Sequence, residues 1–298
     1  MRTVREYFYF DTNVYRDVIE ENWYAEQALL RTHKKRFKLA TTTILELLED
    51  LYTRPPNEFA ISQGVLQFAR DTAGHAILPD RDEFLALRLF HTGYKSKHLG
   101  RDQIRRWIDV AIRYRSKAEL GTLVRVGPVQ LMGLDVSAIR KAENEFRVLH
   151  TRMITGYRRE ILKEAGVTRL PRVGGPLTGD DAALTTAFFQ GTQWKRHYVK
   201  MWAKTLGRPN LTTDELDELW PFMQAAGEFL SKVLLQSLRD GYNFERNAND
   251  VTDEAHLSYL CDPSLTFVTQ DKRLRSKLSA ASLTRVIPFE EFKKRIAV

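Results

Sequence analysis

Two short apolar runs constrain the fold of these 298 residues more than any other feature: "EYFYF" at residues 6–10 and "LTFVT" at residues 265–269. Each is aromatic or β-branched, is bounded by turn-forming residues and is too short for a helix, so each reads as a buried strand. Each also leads into an acid, Asp11 directly after the first and Asp271 just beyond the second. Further strands are expected at "KLATT", "HAILP" and "TRVIP", separated by segments with apolar residues at helical spacing. Strands alternating with helices at both ends of a chain predict a parallel α/β sheet.

The intervening helices follow from spacing and stop signals. "NVYRDVIEENWYAEQALLR" is expected to be helical with Thr12 or Asn13 as its cap, and "ILELLEDLY" with a cap within Thr41 to Thr43. "EFAISQGVLQFARDTAG" reads as a helix stopped by Gly74, and "DRDEFLALRLFHTGY" as another. After residue 246 come the helix "VTDEAHLSYL", the helix "KRLRSKL" and a closing helix, "FEEFKKRI". The middle differs. "RDQIRRWIDVAIRYRSKA" places Ile104, Trp107, Ile108, Ala111 and Ile112 on one face. A long helical pattern ends at Gly166, "PRVGGPLTGDD" is a loop, and two more helical stretches run to residue 240. No strand is expected between about residues 130 and 245. The organisation predicted is a split α/β domain over residues 1–95 and 246–298, interrupted by an all-helical insertion over residues 96–245.

Charge is distributed unevenly along this plan. The whole chain carries +8, and residues 96–245 hold 24 Lys/Arg against 17 Asp/Glu, leaving almost none of the excess to the flanks. A basic insertion favours an anionic partner. A single cysteine, Cys261, excludes an internal disulfide framework and fits a reducing, cytoplasmic setting. No apolar run approaches the ~20 residues of a membrane span. The start, "MRTVREYFYFDTN", lacks a signal-peptide core, so no membrane partner is expected.

In a parallel sheet the loops beyond the carboxyl ends of strands line the functional crevice. Asp11 and Asp271 fall there if their strands are neighbours. Asp253, expected to open its helix, and Glu46, early in the helix after "KLATT", are placed to join them. Clustered carboxylates repel and raise one another's pKa, and a divalent cation removes the conflict. Oxygen donors without Cys or His partners suit Mg²⁺ or Mn²⁺. Such an ion activates water and polarises a phosphodiester. With a basic insertion alongside, nucleic-acid phosphate is the substrate class expected.

"FDTNVYRDV", "TTTILELLED", "VTDEAHLSYL" and "LTFVTQDKRL" resemble, in order, the four acidic motifs of PIN-domain nucleases. "HAILPDRDEFLALRL" and "TRVIPFEEFKKRI" are similar to that family's intervening and closing strand-helix units. The resemblance covers about residues 4–95 and 246–298 and leaves the insertion unaccounted for. It implies a PIN-like three-layer α/β/α fold with a central parallel sheet, and Mg²⁺- or Mn²⁺-dependent hydrolysis of RNA, ahead of DNA, leaving a 5′-phosphate and a 3′-hydroxyl. The catalytic and metal-binding acids it implies are Asp11, Glu46, Asp253 and Asp271, with Asn13 and Thr269 as accessory polar residues. Toxin, processing enzyme and defence component are all roles open to such a protein.

Each assignment has a plainer rival. Asp11 can serve as a helix cap, and Glu46 competes with Glu49 and Asp50 on the same helix. Asp250 fits an N-cap, at most accessory to the metal. His256, one helical turn after Asp253, invites a catalytic reading but is read first as a packing residue, as is Cys261. Among the cations, Arg106, Arg113 and Lys117 form one stripe and Arg196, Lys200 and Lys204 another, beside Trp194, Tyr198 and Trp202. Residues 140–172 add nine Lys/Arg against four Glu. Phosphate contact and a solvated face compete evenly for these stripes, whereas the aromatics are expected in the core. Two other functions compete with a nuclease: a catalytically idle nucleic-acid-binding module, and an interaction protein whose insertion docks an inhibitor or another subunit.

Overall fold

The computed structural model of the chain describes residues 6–73, 76–93, 100–120, 122, 124–126, 129–131, 160, 162–167, 179–240 and 249–297. Strands β1 (Tyr7–Phe10), β2 (Phe37–Lys38), β5 (Leu265–Val268) and β6 (Val286–Ile287) form one sheet in the order β2-β1-β5-β6, all parallel. The hairpin strands β3 (Val124–Val126) and β4 (Val129–Leu131) lie apart from it. Side chains alternate along the strands, and here both faces are buried. Phe8, Phe10, Val268 and Ile287 enter one core, while Tyr9, Leu265, Phe267 and Val286 enter the other.

Helices cover both faces. Those on the first are α1 (Thr12–Glu20), α2 (Tyr24–Thr32), α3 (Thr41–Thr53), α4 (Phe59–Ala73), α6 (Arg101–Ala111) and α13 (Phe289–Ile296). The second cluster is built with α5 (Arg81–Leu85), α7 (Asp180–Gln190), α8 (Thr192–Thr205), α9 (Thr213–Asp240), α10 (Asn249–Ser258) and α11 (Lys272–Ser276), followed in the chain by α12 (Ala280–Leu283). Phe292 shows how the closing helix is fixed. Its ring lies 5.1 Å from Phe8, 5.1 Å from Phe10 and 5.9 Å from Phe37. Such aromatic pairs add about 0.5–1.5 kcal/mol each beyond area burial.

Several expectations need correction. "HAILP" is not a strand: Ile77 makes a single parallel bridge to Leu39, and Pro79, which has no N–H, follows almost at once. The central segment is not all-helical, because β3 and β4 form an antiparallel pair there. Its ends do not behave as a separate body either. Ile104, Trp107, Ile108 and Ala111 of α6 pack in the same cluster as Phe8 and Phe10, and α7–α9 share a cluster with Tyr9 and Phe267. The helix over 80–94 stops being regular after Leu85, passing into a π-type turn over Ala86–Phe90 that ends at His91 with φ 50°. Gly74, most of the helix expected up to Gly166 and most of the loop after it lie outside the described residues, as does most of the basic stretch 140–172.

The caps also differ. Asp11, not Thr12 or Asn13, holds the cap position of α1, and it makes no side-chain cap bond. Ala40 precedes α3, so Thr41 and Thr43 sit inside its first turn. There they tie the helix to its neighbours: Thr41 Oγ1 donates to Leu78 O at 2.8 Å and Thr43 Oγ1 to Phe10 O at 3.0 Å. α10 begins at Asn249, which puts Asp253 in its second turn instead of at its start.

Candidate metal centre

β1 and β5 pair so that Phe10 lies opposite Val268, and their carboxyl ends therefore stop level. Asp11 and Thr269 follow those two residues, and Thr269 Oγ1 donates to Asp11 Oδ2 at 2.7 Å. The same hydroxyl oxygen accepts from Asp271 N at 3.0 Å, which fixes the turn beyond β5. Asp271 caps α11, its Oδ1 accepting from Arg273 N at 2.6 Å and Leu274 N at 3.0 Å. Glu46 reaches the cluster from the second turn of α3. It accepts a short hydrogen bond from Thr12 Oγ1, the residue after Asp11.

His256 completes the group from α10. Asp11, Glu46 and His256 each offer a ligand atom, and these three atoms all lie within 4.8 Å of one another. His256 is buried, its ring stacks on Phe267 at 5.1 Å between centroids, and its Nε2 lies 3.6 Å from Glu46 Oε2. Neither ring nitrogen has a hydrogen-bond partner among the described residues. The packing role assigned to this residue from sequence is thus only half of its environment. Thr12 was likewise missed, and it takes the place foreseen for Asn13, which is exposed and accepts from Arg16 at 3.2 Å.

Asp253 is the electrostatic focus. Burial pushes its carboxyl well above the ordinary value, and the charges of Asp11, Asp271, Asp250 and Glu46 push the same way. Each of these four acids therefore acts on Asp253. Burial also raises Asp11, against the charge of His256 and the Thr269 hydrogen bond, while Glu46 and Asp271 add to the rise. Burial acts on Glu46 too, but His256, Thr12 and Arg16 outweigh it and hold this carboxyl below its ordinary value.

The rival acids separate cleanly. Asp50 is tied to Arg16 by two 2.8 Å contacts and to Arg54 at 3.6 Å, which makes it a structural ion pair. Asp250 is buried in the first turn of α10, where its Oδ1 accepts from Arg273 at 2.7 Å and Lys277 at 3.0 Å. It holds two cations beside the carboxylates. Cys261 is buried, and burial pushes its thiol up, in keeping with a core residue.

The donor set fits a divalent ion. Two carboxylates, Asp11 and Glu46, lie with the buried His256 imidazole, and Asp253, outside that group, is strongly disfavoured as a charge. This is the kind of conflict a cation would resolve, while Asp271 is taken up as the cap of α11. Carboxylates suit Mg²⁺ or Mn²⁺, and an imidazole in the set favours Mn²⁺ over Mg²⁺.

The basic stripes divide. Arg106, Lys200 and Lys204 are exposed. Arg113 folds its Nε onto Asp109 O at 3.1 Å, and Lys117 Nζ donates to Arg54 O at 2.7 Å. Arg196 is clamped by Asp217 through bonds of 2.8 and 2.6 Å. Trp194, Tyr198 and Trp202 are core residues, as expected from their spacing.

Comparison with protein-family models, with curated proteins and with solved structures finds no match to this chain. No helix of the described residues is long and apolar enough to cross a membrane.

Proposed function

We propose that the protein is a metal-dependent nuclease of PIN-like organisation, acting on RNA in preference to DNA through Mg²⁺ or Mn²⁺. The observation that carries this reading is the convergence of Asp11, Glu46 and His256 at the carboxyl edge of a parallel sheet, with Asp253 under charge pressure from the surrounding acids. When bound, a divalent cation would lower the pKa of a water and offset phosphodiester charge. Asp11, Glu46, Asp253 and Asp271 would hold it, with His256 as a further donor or as a proton carrier beside Glu46. Thr269 and Thr12 orient Asp11 and Glu46 by direct hydrogen bonds. Arg273 and Lys277, held by Asp250, add positive charge where a phosphate would arrive.

One observation favours a second reading, a catalytically idle binding module. The His256 imidazole lies 3.6 Å from Glu46 Oε2 and, in its cationic form, would compensate that carboxylate without a metal. Incubating the purified protein with labelled RNA and DNA, with Mn²⁺ and with chelator, separates the two. The nuclease reading expects Mn²⁺-dependent cleavage that Asp11→Asn abolishes while nucleic-acid binding persists. Cleavage surviving in Asp11→Asn would place the activity elsewhere, and binding without cleavage by the parent would support the idle module.

A further inference from the structure

A cavity of about 360 Å³ lies between the junction of α7 and α8, the middle of α9 and the turn after α11. Its size is within the range of small-ligand sites, about 300–1,000 Å³. The walls combine the rings of Trp194 and Trp220 with three cations, Lys195, Lys232 and Lys277. Glu228 is the one acid in the lining among the described residues, and its oxygens are engaged. Oε2 accepts from Ser279 N at 3.1 Å and Ser282 Oγ at 2.8 Å, and Oε1 accepts from Gln224 at 2.6 Å. The space is therefore net positive and part aromatic.

Trp220 is held in position. A Cβ at Gly227 would fall 2.6 Å from its ring, so only glycine allows the ring this close to α9. Trp194 Nε1 donates to Gly227 O at 3.0 Å, and the Tyr198 ring meets Trp220 edge-on at 6.4 Å. Lys195 Nζ lies 5.7 Å from the Trp220 centroid, a loose contact that a ligand can displace. The third cation connects the cavity to the carboxylates. Lys277 Nζ is 3.0 Å from Asp250 Oδ1, and Asp250 is one of the charges acting on Asp253.

We propose that this cavity is a nucleotide subsite, taking one unit of a single strand that continues into the metal centre. The base packs against Trp220, and the phosphate lies among Lys195, Lys232 and Lys277. The assignment rests on the nuclease reading for its strand but not for its chemistry. An apolar ligand would leave the ammonium groups of Lys195 and Lys232 to be desolvated, with only Lys277 already paired, and a simple anion would leave the ring unused. A base stacked on an aromatic platform with its phosphate on lysines uses both, and it does so without selecting one base over another.

The test is equilibrium binding of 5′-AMP, adenosine and inorganic phosphate to the full chain, in chelator, followed by tryptophan fluorescence and calorimetry. 5′-AMP is expected to bind at least tenfold more tightly than adenosine or phosphate. Trp220→Leu and Lys232→Gln should each weaken it about fivefold or more, in line with one lost stacking or charge contact. Asp11→Asn should bind as the parent does. Lys232 is exposed, so its variant keeps the test open if Trp220→Leu fails to fold. Equal binding of 5′-AMP and phosphate, or no response to Lys232→Gln, would overturn the proposal. Because no metal is present and nothing is cut, 5′-AMP binding by a protein that cleaves neither RNA nor DNA would uphold the pocket and count against the nuclease reading alone.

Discussion

His256 Nε2 stands 3.6 Å from Glu46 Oε2, with the imidazole packed flat on Phe267 and both ring nitrogens unpartnered among the described residues. Buried polar atoms beyond hydrogen-bond distance are costly, and Glu46 is the neighbouring charge on which His256 acts. Two roles compete: His256 as a donor to a cation, or His256 as the cation that neutralises Glu46.

His256→Ala decides between them. If the imidazole helps to hold the metal, the rise in Tm with Mn²⁺ should need at least about tenfold more Mn²⁺ in the variant, the scale seen when metal-site partners are removed. Thermal melts across a Mn²⁺ titration provide the measurement. A larger Mn²⁺ response than in the parent would instead mean that the imidazole competes with the ion, as the idle-module reading requires.

Asp253 gives the clearest pH dependence. Its folded pKa is raised well above 3.8, by burial first and then by Asp11, Asp271, Asp250 and Glu46. The folded protein therefore keeps a proton that the unfolded chain releases above about pH 4. Stability is fully present below that value and is lost as pH rises through the folded pKa. Asp11 shifts in the same direction. Glu46, lowered from 4.5, acts with the opposite sign but only in more acid solution. Between pH 5 and 8 without metal, the Tm of the parent should fall relative to that of Asp253→Asn, and the variant should be the more stable at pH 8. Each kcal/mol relieved is worth roughly 2–4 °C. Saturating Mn²⁺ should remove the parent's extra slope. Parallel Tm curves for the two proteins would mean that the acids do not crowd Asp253 in solution.

Much of this site was legible in the chain because it is built at strand ends. A short aromatic run that stops at an acid says where that acid emerges, as with Asp11; Asp271 lies beyond the turn after β5, where it caps α11. Glu46 followed from its place in the first turns of a helix behind a strand. His256 and Thr12 did not, since their roles depend on how α10 and α3 pack across the sheet, which periodicity does not encode. The same limit hid the membership of α6 in the core. Its apolar face was plain, but the surface it covers was not. The β3–β4 hairpin escaped because three-residue strands carry too little alternation to stand out.

Away from the acids, Arg81 and Glu254 form a buried ion pair at 3.0 Å between α5 and α10. Tyr198 of α8 donates a short hydrogen bond to the same carboxylate, and Arg81 also pairs with Asp82 at 2.8 Å and lies 4.5 Å from the Trp202 ring. Glu254 adjoins Asp253, so this network ties the helix that carries Asp253 to α5 and α8. Glu254→Gln leaves Arg81 with less compensation in a buried setting and should cost about 3–5 kcal/mol in chemical denaturation. The double variant Arg81→Met, Glu254→Gln should recover part of that loss. A double-variant loss equal to the sum of the losses in Arg81→Met and Glu254→Gln alone would show that the pair is not coupled.

The outer cations offer the last prediction, which the structure sharpens. Arg196, Lys200 and Lys204 fall in one stripe of α8, but Arg196 is clamped by Asp217 through two bonds while Lys200 and Lys204 are exposed. A clamped guanidinium must break its pair to meet a phosphate, so it contributes little to the release of counterions. If this face binds single-stranded nucleic acid, each phosphate contact adds about 0.7 to the slope of log affinity against log salt. Lys200→Gln with Lys204→Gln should then flatten the slope by about 1.4, twice that value for two contacts. Arg196→Gln alone should change it little. The chemical step at saturating substrate should be the same in all three proteins, because these residues supply ground-state binding. A slope unchanged in the double variant would make the stripe a solvated face. A slope lowered by Arg196→Gln as much as by a lysine change would mean that the Asp217 clamp opens when nucleic acid binds.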